Sequence, residues 1–205
     1  MKRLPAPARK TRRGAPEATR ETLVTAAARA FNQHGYHGTD SNAIARAAGY
    51  APGTFYLHFA DKRAVFLAVY ERWVKVEWDA IGARARAGTL DAASLVALVL
   101  AHHRAWRGFR ASLRALLATD AEVRRFFRAR RRRQVALMGQ LAGASGRPAP
   151  PVEERVILLL TLERVADAIA DGEATQLGAR RGPLVAALVA RVENYMSVMG
   201  PSPAP

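Results

Sequence analysis

The sequence predicts an all-α protein, for three reasons. Apolar residues recur at spacings of three and four along most of the 205 residues, and they do not alternate with polar residues for long enough to indicate a sheet. Half of the residues are hydrophobic, which provides material for a core and excludes a wholly disordered chain. Gly35, Gly49 and Gly88 separate the periodic segments, as expected of turns between helices.

The first two helices are predicted from the residues at their ends. Thr19 is expected to act as the N-cap of a first helix, which ends at Gly35 because glycine favours helix termination. A short second helix is expected to begin near Thr39 or Asp40 and to end at Gly49.

The third and fourth helices follow without a long connection. Pro52 suits the first position of a helix because the N–H that it lacks would have no partner there, and this third helix is expected to run to about Phe59. Asp61 can cap a long fourth helix. Its predicted apolar stripe consists of Phe66, Val69, Tyr70, Trp73, Val76, Ala80 and Ile81.

Five further helices are predicted in the second half of the chain. They are expected over residues 91–106, 109–118, 121–141, 152–171 and 183–199. Residues 143–151 contain three prolines and are expected to form a loop. The last two helices are apolar round much of their circumference, which indicates burial on more than one side.

The net charge of +15 is unevenly distributed. Residues 1–16 hold six basic residues and no acid, residues 17–62 are neutral, and residues 101–133 carry a charge of +9. The basic, proline-containing segment 1–16 is expected to be a flexible arm. We expect a soluble, cytoplasmic protein, because no uncharged apolar run approaches the ~18 residues of a membrane span and no signal-peptide pattern is present. The positive net charge indicates a polyanionic partner.

Residues 39–58 have the pattern of a helix-turn-helix, a motif that places the start of its second helix in the major groove of DNA. Small and apolar residues on the first helix, Ile44, Ala45 and Ala48, are predicted to face inward. Phe55 and Phe59 are four residues apart and are predicted to fix the second helix to the core.

This region resembles the tetracycline-repressor (TetR/AcrR) family of transcriptional regulators. The residues that carry the resemblance, in the family's order and spacing, are Thr19, Arg20, Glu21, Ala30, Phe31, Gly35, Tyr36, Thr39, Ile44, Ala45, Ala48, Gly49, Gly53 to Phe59, Asp61 and Lys62. The resemblance covers about residues 17–75. One departure is Ala51, which stands where the family commonly has serine before the recognition helix, and which removes a side-chain cap typically worth ~1 kcal/mol.

The resemblance implies which residues contact double-stranded DNA. Contacts to base edges or methyl groups are implied for Asn42, Pro52, Gly53, Thr54 and Tyr56, and contacts to phosphates for Ser41, Tyr56, His58 and Lys62. The alternative for Tyr56 and His58 is that they pack between helices. Because residues 17–62 are neutral, the basic arm is a further candidate for DNA contact, and the alternative is an inert tail.

The resemblance also implies a domain organisation and a function. It predicts a helix-turn-helix domain over residues 17–75, an all-helical effector-binding and dimerisation domain over residues 76–199, and a disordered tail over residues 200–205.

The implied protein is a repressor that binds a near-palindromic operator as a homodimer, through its two C-terminal helices, and is released by a small hydrophobic or amphipathic effector. The alternative is a ligand-independent or architectural DNA-binding protein. No cofactor or metal is expected, and catalytic motifs are absent from the sequence, which argues against an enzyme.

Polar residues on apolar stripes are candidates for the effector pocket. They are Glu77, His102, Arg130 and Gln134, with Trp73, Trp106 and Phe109 as apolar walls. The alternative is that these polar groups are satisfied within the core or lie at helix edges. His102 and His103 point ~100° apart on a helix and so do not form a metal-binding pair.

The arginine-rich segment 124–133 has three interpretations. It is a solvated helix face, a surface for DNA phosphates, or a site for an anionic effector, for which Arg130 is the preferred residue because guanidinium groups pair with carboxylates and phosphates.

Overall fold

The computed structural model describes residues 16–144 and 148–198, and within these ranges the fold is entirely helical, with no strand. This confirms the all-α prediction. The helices are α1 (Pro16–His34), α2 (Ser41–Ala47), α3 (Pro52–Tyr56), α4 (Lys62–Arg86), α5 (Ala92–Ala105), α6 (Arg107–Thr119), α7 (Ala121–Ala144), α8 (Val152–Asp171), α9 (Glu173–Gln176) and α10 (Arg181–Val198). The predicted tail at 200–205 and the predicted arm, except for Pro16, lie outside the described residues. None of the described helices is long and apolar enough to cross a membrane.

Aspartate side chains fix the starts of four helices, namely α2, α4, α5 and, through Asp120, α7. The Asp40 carboxylate accepts the Ala43 N–H at 2.8 Å at the start of α2, and Asp61 accepts the Ala64 N–H at 2.7 Å at the start of α4. Each bond satisfies an N–H that has no partner within its helix. Asp91 forms a capping box at the start of α5. The Asp61 cap predicted from sequence is therefore confirmed, and of the two starts predicted for the second helix, Thr39 or Asp40, the structure has Asp40 as the N-cap.

Several predicted boundaries are wrong. α1 begins at Pro16, and Thr19 is buried inside its first turn, because proline is favoured at the first helical position. α3 ends at Tyr56 and not at Phe59. The short helix α9 was not predicted. It follows Gly172, whose backbone has a left-handed conformation that ends α8.

The predicted apolar stripe of α4 is wrong at Val76, whose side chain is 49% exposed. Beyond Trp73 the fully buried positions advance in steps of four, to Glu77 and Ile81. Since four residues exceed one helical turn, this spacing rotates the buried face of α4 away from Val76.

The buried side chains form two hydrophobic cores. The first contains residues of α1 to α4 together with α6 and α7, and Phe66 of α4 lies at its centre, with ring centroids 5.1 Å from Phe31 and 4.8 Å from Phe109. The second core is formed by α5, α8 and α10. The helix-turn-helix elements therefore share a core with α6 and α7, the middle helices of the chain.

The junction between α1 and α6 is held by close backbone approach. The Asn32 side chain donates to the Ala105 carbonyl at 2.9 Å and accepts the Phe109 N–H at 3.1 Å, so it bridges the break between α5 and α6. The Ser112 hydroxyl accepts the Tyr36 N–H at 3.0 Å. A Cβ atom on Gly108 would lie 2.0 Å from the Asn32 carbonyl oxygen, so only glycine fits at this crossing.

We predict that Gly108→Ala destabilises the protein by roughly 2 kcal/mol or more, because the added methyl group collides with backbone that cannot rotate away. The matched control is Gly182→Ala in α10, where a Cβ atom meets nothing within 4 Å. We expect the control to change the free energy of unfolding by less than about 0.5 kcal/mol. Urea denaturation at fixed protein concentration measures both, and equal stability of the two variants would contradict the prediction.

Candidate DNA-binding surface and effector cavity

The turn between α2 and α3 depends on one glycine. Gly49 has φ +81°, in the left-handed region, and the following Tyr50 N–H donates to the Ala45 carbonyl at 2.9 Å. Ile44, Ala45 and Phe55 are fully buried, and these side chains seat both helices on the first core. The sequence predicted this inward face.

The outward face of the motif carries most of the predicted DNA contacts. Asn42, Pro52 and Gly53 are exposed, and Tyr56 is 56% exposed. Ser41, Thr54 and His58 are half-buried. A large aromatic side chain with a free polar end is unusual on a surface without a partner, and it suits contact with a second macromolecule. The DNA contacts themselves remain predictions.

Lys62, the first residue of α4, has a role in the fold that the sequence did not reveal. Its ammonium group donates to the Tyr36 carbonyl at 2.9 Å and to the Thr39 carbonyl at 2.8 Å, and it lies 4.4 Å from the centroid of the Tyr36 ring. These contacts tie the start of α4 to the loop between α1 and α2. One of its three N–H donors is left for a phosphate.

We predict that Lys62→Met lowers the free energy of unfolding by about 2 kcal/mol, because two carbonyls lose a charged donor. The control is Lys75→Met on the same helix, where the ammonium makes only a surface ion pair with Asp79 and the expected change is within about 0.5 kcal/mol. Thermal unfolding and operator titration are both measured. Unchanged stability with a reduced salt dependence of DNA binding would indicate a phosphate contact alone.

A cavity of about 300 Å³ lies among α4, α5, α7, α8 and α10. Its wall is mainly aliphatic and aromatic, and it is formed by Glu77, Trp78, Ile81, Ala85, Gly88, Leu90, Leu95, Val99, Met138, Leu141, Ala142, Leu158, Leu159, Leu162, Glu163, Val192, Tyr195 and Met196. Concave apolar sites with a few polar groups are typical of small-molecule binding. Of the residues predicted for an effector pocket, Glu77 alone belongs to this wall.

The other predicted pocket residues lie elsewhere. Trp73 is fully buried, and the His102 ring stacks on it with centroids 5.0 Å apart and donates to its carbonyl at 3.1 Å. Burial lowers the pKa of His102 to about 4. Phe109 is buried in the first core, and Trp106 packs against that core.

Two polar candidates on α7 are also separate from the cavity wall. Arg130 faces outward, where it pairs with Glu71 and lies over the Phe126 ring. Gln134 is 1% exposed, and its amide atoms make no hydrogen bond within the described part of the chain. The structure therefore does not bring the predicted set together.

A buried ionic cluster lies beside the cavity. Arg110 donates to Asp167 at 2.7 and 3.2 Å and to Glu163 at 3.3 Å, and Arg131 also pairs with Glu163. The His103 Nδ1–H donates to Asp167 at 2.9 Å. Burial opposes the charged state of Asp167, but the hydrogen bonds from His103 and Arg110 outweigh it and hold the pKa of this carboxyl below its usual range.

The arginine-rich segment divides between two environments. Arg125, Arg128, Arg132 and Arg133 are exposed, whereas Arg131 reaches the buried cluster. Arg124 donates to the carbonyls of Leu117 and Ala118 at 3.0 Å. Most of the charge is thus solvated, and part of it has a structural role. Among the described residues, no group of three or more acidic or histidine side chains is arranged to hold a metal ion.

Comparisons with known proteins agree with this arrangement. Residues 23–69 match the family model described as bacterial regulatory proteins, tetR family. The chain is 42% identical over 64 residues to the HTH-type transcriptional regulator AcrR of Shigella flexneri, a match that spans 31% of this chain and 29% of that protein.

Solved structures extend the similarity in fold to nearly the whole chain. A protein from Mesorhizobium loti assigned to the TetR family superposes with a TM-score of 0.69 at 23% identity, over 90% of this chain and 98% of that one. Salmonella enterica GusR superposes with a TM-score of 0.66 at 19% identity, over 91% of this chain and 100% of that one. Bacillus subtilis FadR, solved in complex with stearoyl-CoA, superposes with a TM-score of 0.57 at 19% identity, over 84% of this chain and 95% of that one.

Proposed function

We propose that the chain is a member of the TetR/AcrR family of transcriptional regulators and acts as a repressor. It binds operator DNA as a homodimer and releases the DNA when a small amphipathic effector enters the cavity. The two-fold symmetry of the dimer requires a near-palindromic operator. The observation that carries this proposal is α4, a single helix that begins at Lys62 beside the helix-turn-helix and lines the cavity with Glu77, Ile81 and Ala85.

The physical logic is a two-state equilibrium. An effector changes DNA affinity only through a difference in its own affinity for the two states, and α4 supplies a rigid connection between the two sites. From Lys62 to Glu77 the helix rises about 22 Å at ~1.5 Å per residue. A shift of α4 at the cavity therefore moves the Lys62 contacts with the Tyr36 and Thr39 carbonyls and, with them, the loop that precedes α2.

We predict that Tyr56→Phe weakens operator affinity about fivefold, because the exposed phenol loses one hydrogen bond to DNA while its ring packing stays intact. The operator is first selected from random duplexes, and binding is measured by fluorescence anisotropy. Arg128→Ala, on the exposed face of α7, is the control and is expected to leave affinity and its salt dependence unchanged. Equal losses in both variants would instead place the arginine-rich segment on DNA.

The outer faces of α8 and α10 support dimerisation through these helices. Ile157 and Leu160 are 42% and 54% exposed on α8. Exposed positions on α10 include Ala186, Ala187 and Ala190, whose small side chains allow close approach of a second helix. Because α8 and α10 pack together in the second core, the two faces are expected to form one surface for a second copy of the chain.

We predict that Leu160→Arg raises the dimer dissociation constant at least about a hundredfold, because two unpaired guanidinium groups would be buried at the symmetric interface. Val76→Arg is the control, since Val76 is similarly exposed but lies on α4. Sedimentation velocity over a concentration series measures both variants. A monomeric wild-type chain at micromolar concentration, or equal behaviour of the two variants, would contradict the proposed interface.

A release assay separates the repressor from the alternative of a ligand-independent DNA-binding protein. Compounds are screened for dissociation of the chain from its selected operator, and binding of each hit is measured in parallel. A hit whose effect is lost when Leu162, on the cavity wall, is replaced by the larger tryptophan would support effector control through this cavity. Binding in the cavity without any change in operator affinity would favour the alternative.

A further inference from the structure

We propose that the effector is an amphipathic cation, an amine carried on an apolar group, and that the Glu77 carboxylate binds its ammonium group. The inference deepens the proposed function, because it names the ligand class for the same cavity. It rests on the charge of the cavity wall, on the hydrogen bonding of Glu77 and on the position of the nearby arginines.

The charged residues of the cavity wall are both acids. They are Glu77 and Glu163, and the wall contains no lysine, arginine or histidine among the residues that the structure describes. The rest of the wall is suited to a hydrocarbon or aromatic group, with side chains such as Ile81, Val99 and Leu158. A ligand that fits this cavity is therefore apolar over most of its surface and either neutral or positive at its polar end.

The two acids differ in their partners. Glu163 is paired with Arg110 and Arg131. Glu77 is 5% exposed, and its buried Oε1 has no hydrogen-bond partner in the part of the chain that the structure describes. The nearest basic side-chain nitrogen to Glu77 Oε1 is His103 Nε2, at 3.8 Å, which is beyond hydrogen-bond distance. The other ring nitrogen of His103 is hydrogen-bonded to Asp167.

A buried carboxylate without a counter-ion is costly, and an ammonium group on a ligand would supply the missing charge. The same wall offers further groups to a cation. The hydroxyl of Tyr195 has no partner among the described residues and can accept a hydrogen bond, and the Trp78 and Tyr195 rings attract cations through their π faces.

The structure argues against an anionic effector at this site. An anion in the cavity would face the Glu163 carboxylate and the Glu77 carboxyl group, and Arg130, the arginine that the sequence favoured for such a ligand, lies outside the cavity and pairs with Glu71. Near the cavity, Arg110 donates to Glu163 and Asp167, and Arg131 donates to Glu163 through one of its three guanidinium nitrogens.

The test compares three probes with the same chain and different charge: octylamine, octanol and octanoate. Binding to the full-length protein is measured by isothermal titration calorimetry. We expect octylamine to bind at least about tenfold more tightly than either of the others, because a charge-assisted hydrogen bond adds to the shared apolar contact.

The variant Glu77→Gln keeps the shape of the side chain and removes its charge. We expect it to lower octylamine affinity to that of octanol, and to leave octanol affinity within about twofold of wild type, which also shows that the cavity is intact. Glu71→Gln, an exposed acid on the same helix, is the control and is expected to leave all three affinities unchanged.

The pH dependence provides a second readout. Burial and the charge of Glu163 raise the pKa of Glu77 to about 8, so the carboxyl is mostly protonated at neutral pH in the empty cavity. An alkylamine, like lysine, stays protonated to about pH 10. Octylamine affinity should therefore rise as pH increases from about 6 to about 8, octanol affinity should stay flat, and Glu77→Gln should abolish the rise. The titratable and charged groups that surround Glu77 are His103, Arg110, Arg131, Glu163 and Asp167.

Tighter binding of octanoate, no binding of octylamine at millimolar concentration, or unchanged octylamine affinity in Glu77→Gln would each overturn the ligand class. A different result would contradict the proposed function without contradicting the ligand class. If octylamine binds with the expected dependence on Glu77 but does not change operator affinity, the ligand class stands and effector control of DNA binding does not.

Discussion

The buried guanidinium group of Arg110 determines how the helices of this protein meet. It pairs with Glu163 and Asp167 of α8 and lies 4.8 Å from the centroid of the Trp73 ring of α4. Burial by itself lowers the pKa of an arginine, but the two carboxylates outweigh that effect and raise it. A charge buried this deeply is tolerated only with partners in fixed positions, so α4, α6 and α8 are held in one arrangement.

The same cluster explains the character of the cavity. Arg110 pairs with Glu163 and Asp167, Arg131 pairs with Glu163, and His103 donates to Asp167. None of these three side chains donates a hydrogen bond to the buried Oε1 of Glu77. Two helices lead from this region to the helix-turn-helix elements. α4 reaches the Lys62 contacts directly, and α6 reaches α1 through the close crossing at Gly108 and the Asn32 side chain. Rigid helices and packed side chains of this kind can transmit coupling between two distant sites.

Local features were predictable to the extent that they depend on neighbouring residues. The Asp61 cap and the Pro52 start of α3 were predicted correctly, because each concerns a helix start and the side chain or ring closest to it. The Thr19 cap was wrong because Pro16 begins the helix one turn earlier. Val76 was wrongly placed on the buried face of α4, since the direction of that face is decided by the helices packed against it.

The sequence by itself determined the helical class, the helix-turn-helix and the resemblance to the TetR/AcrR family, because these follow from periodicity, capping and a motif whose residues are close together in the chain. It also indicated that Glu77 is buried, since this position continues the stripe of Trp73. Only the tertiary structure decided what Glu77 and Lys62 do. Their environments come from residues tens of positions away: Tyr36 and Thr39 for Lys62, and His103 and Glu163 for Glu77. Charge pairing of this kind depends on distances between helices, which no local pattern contains.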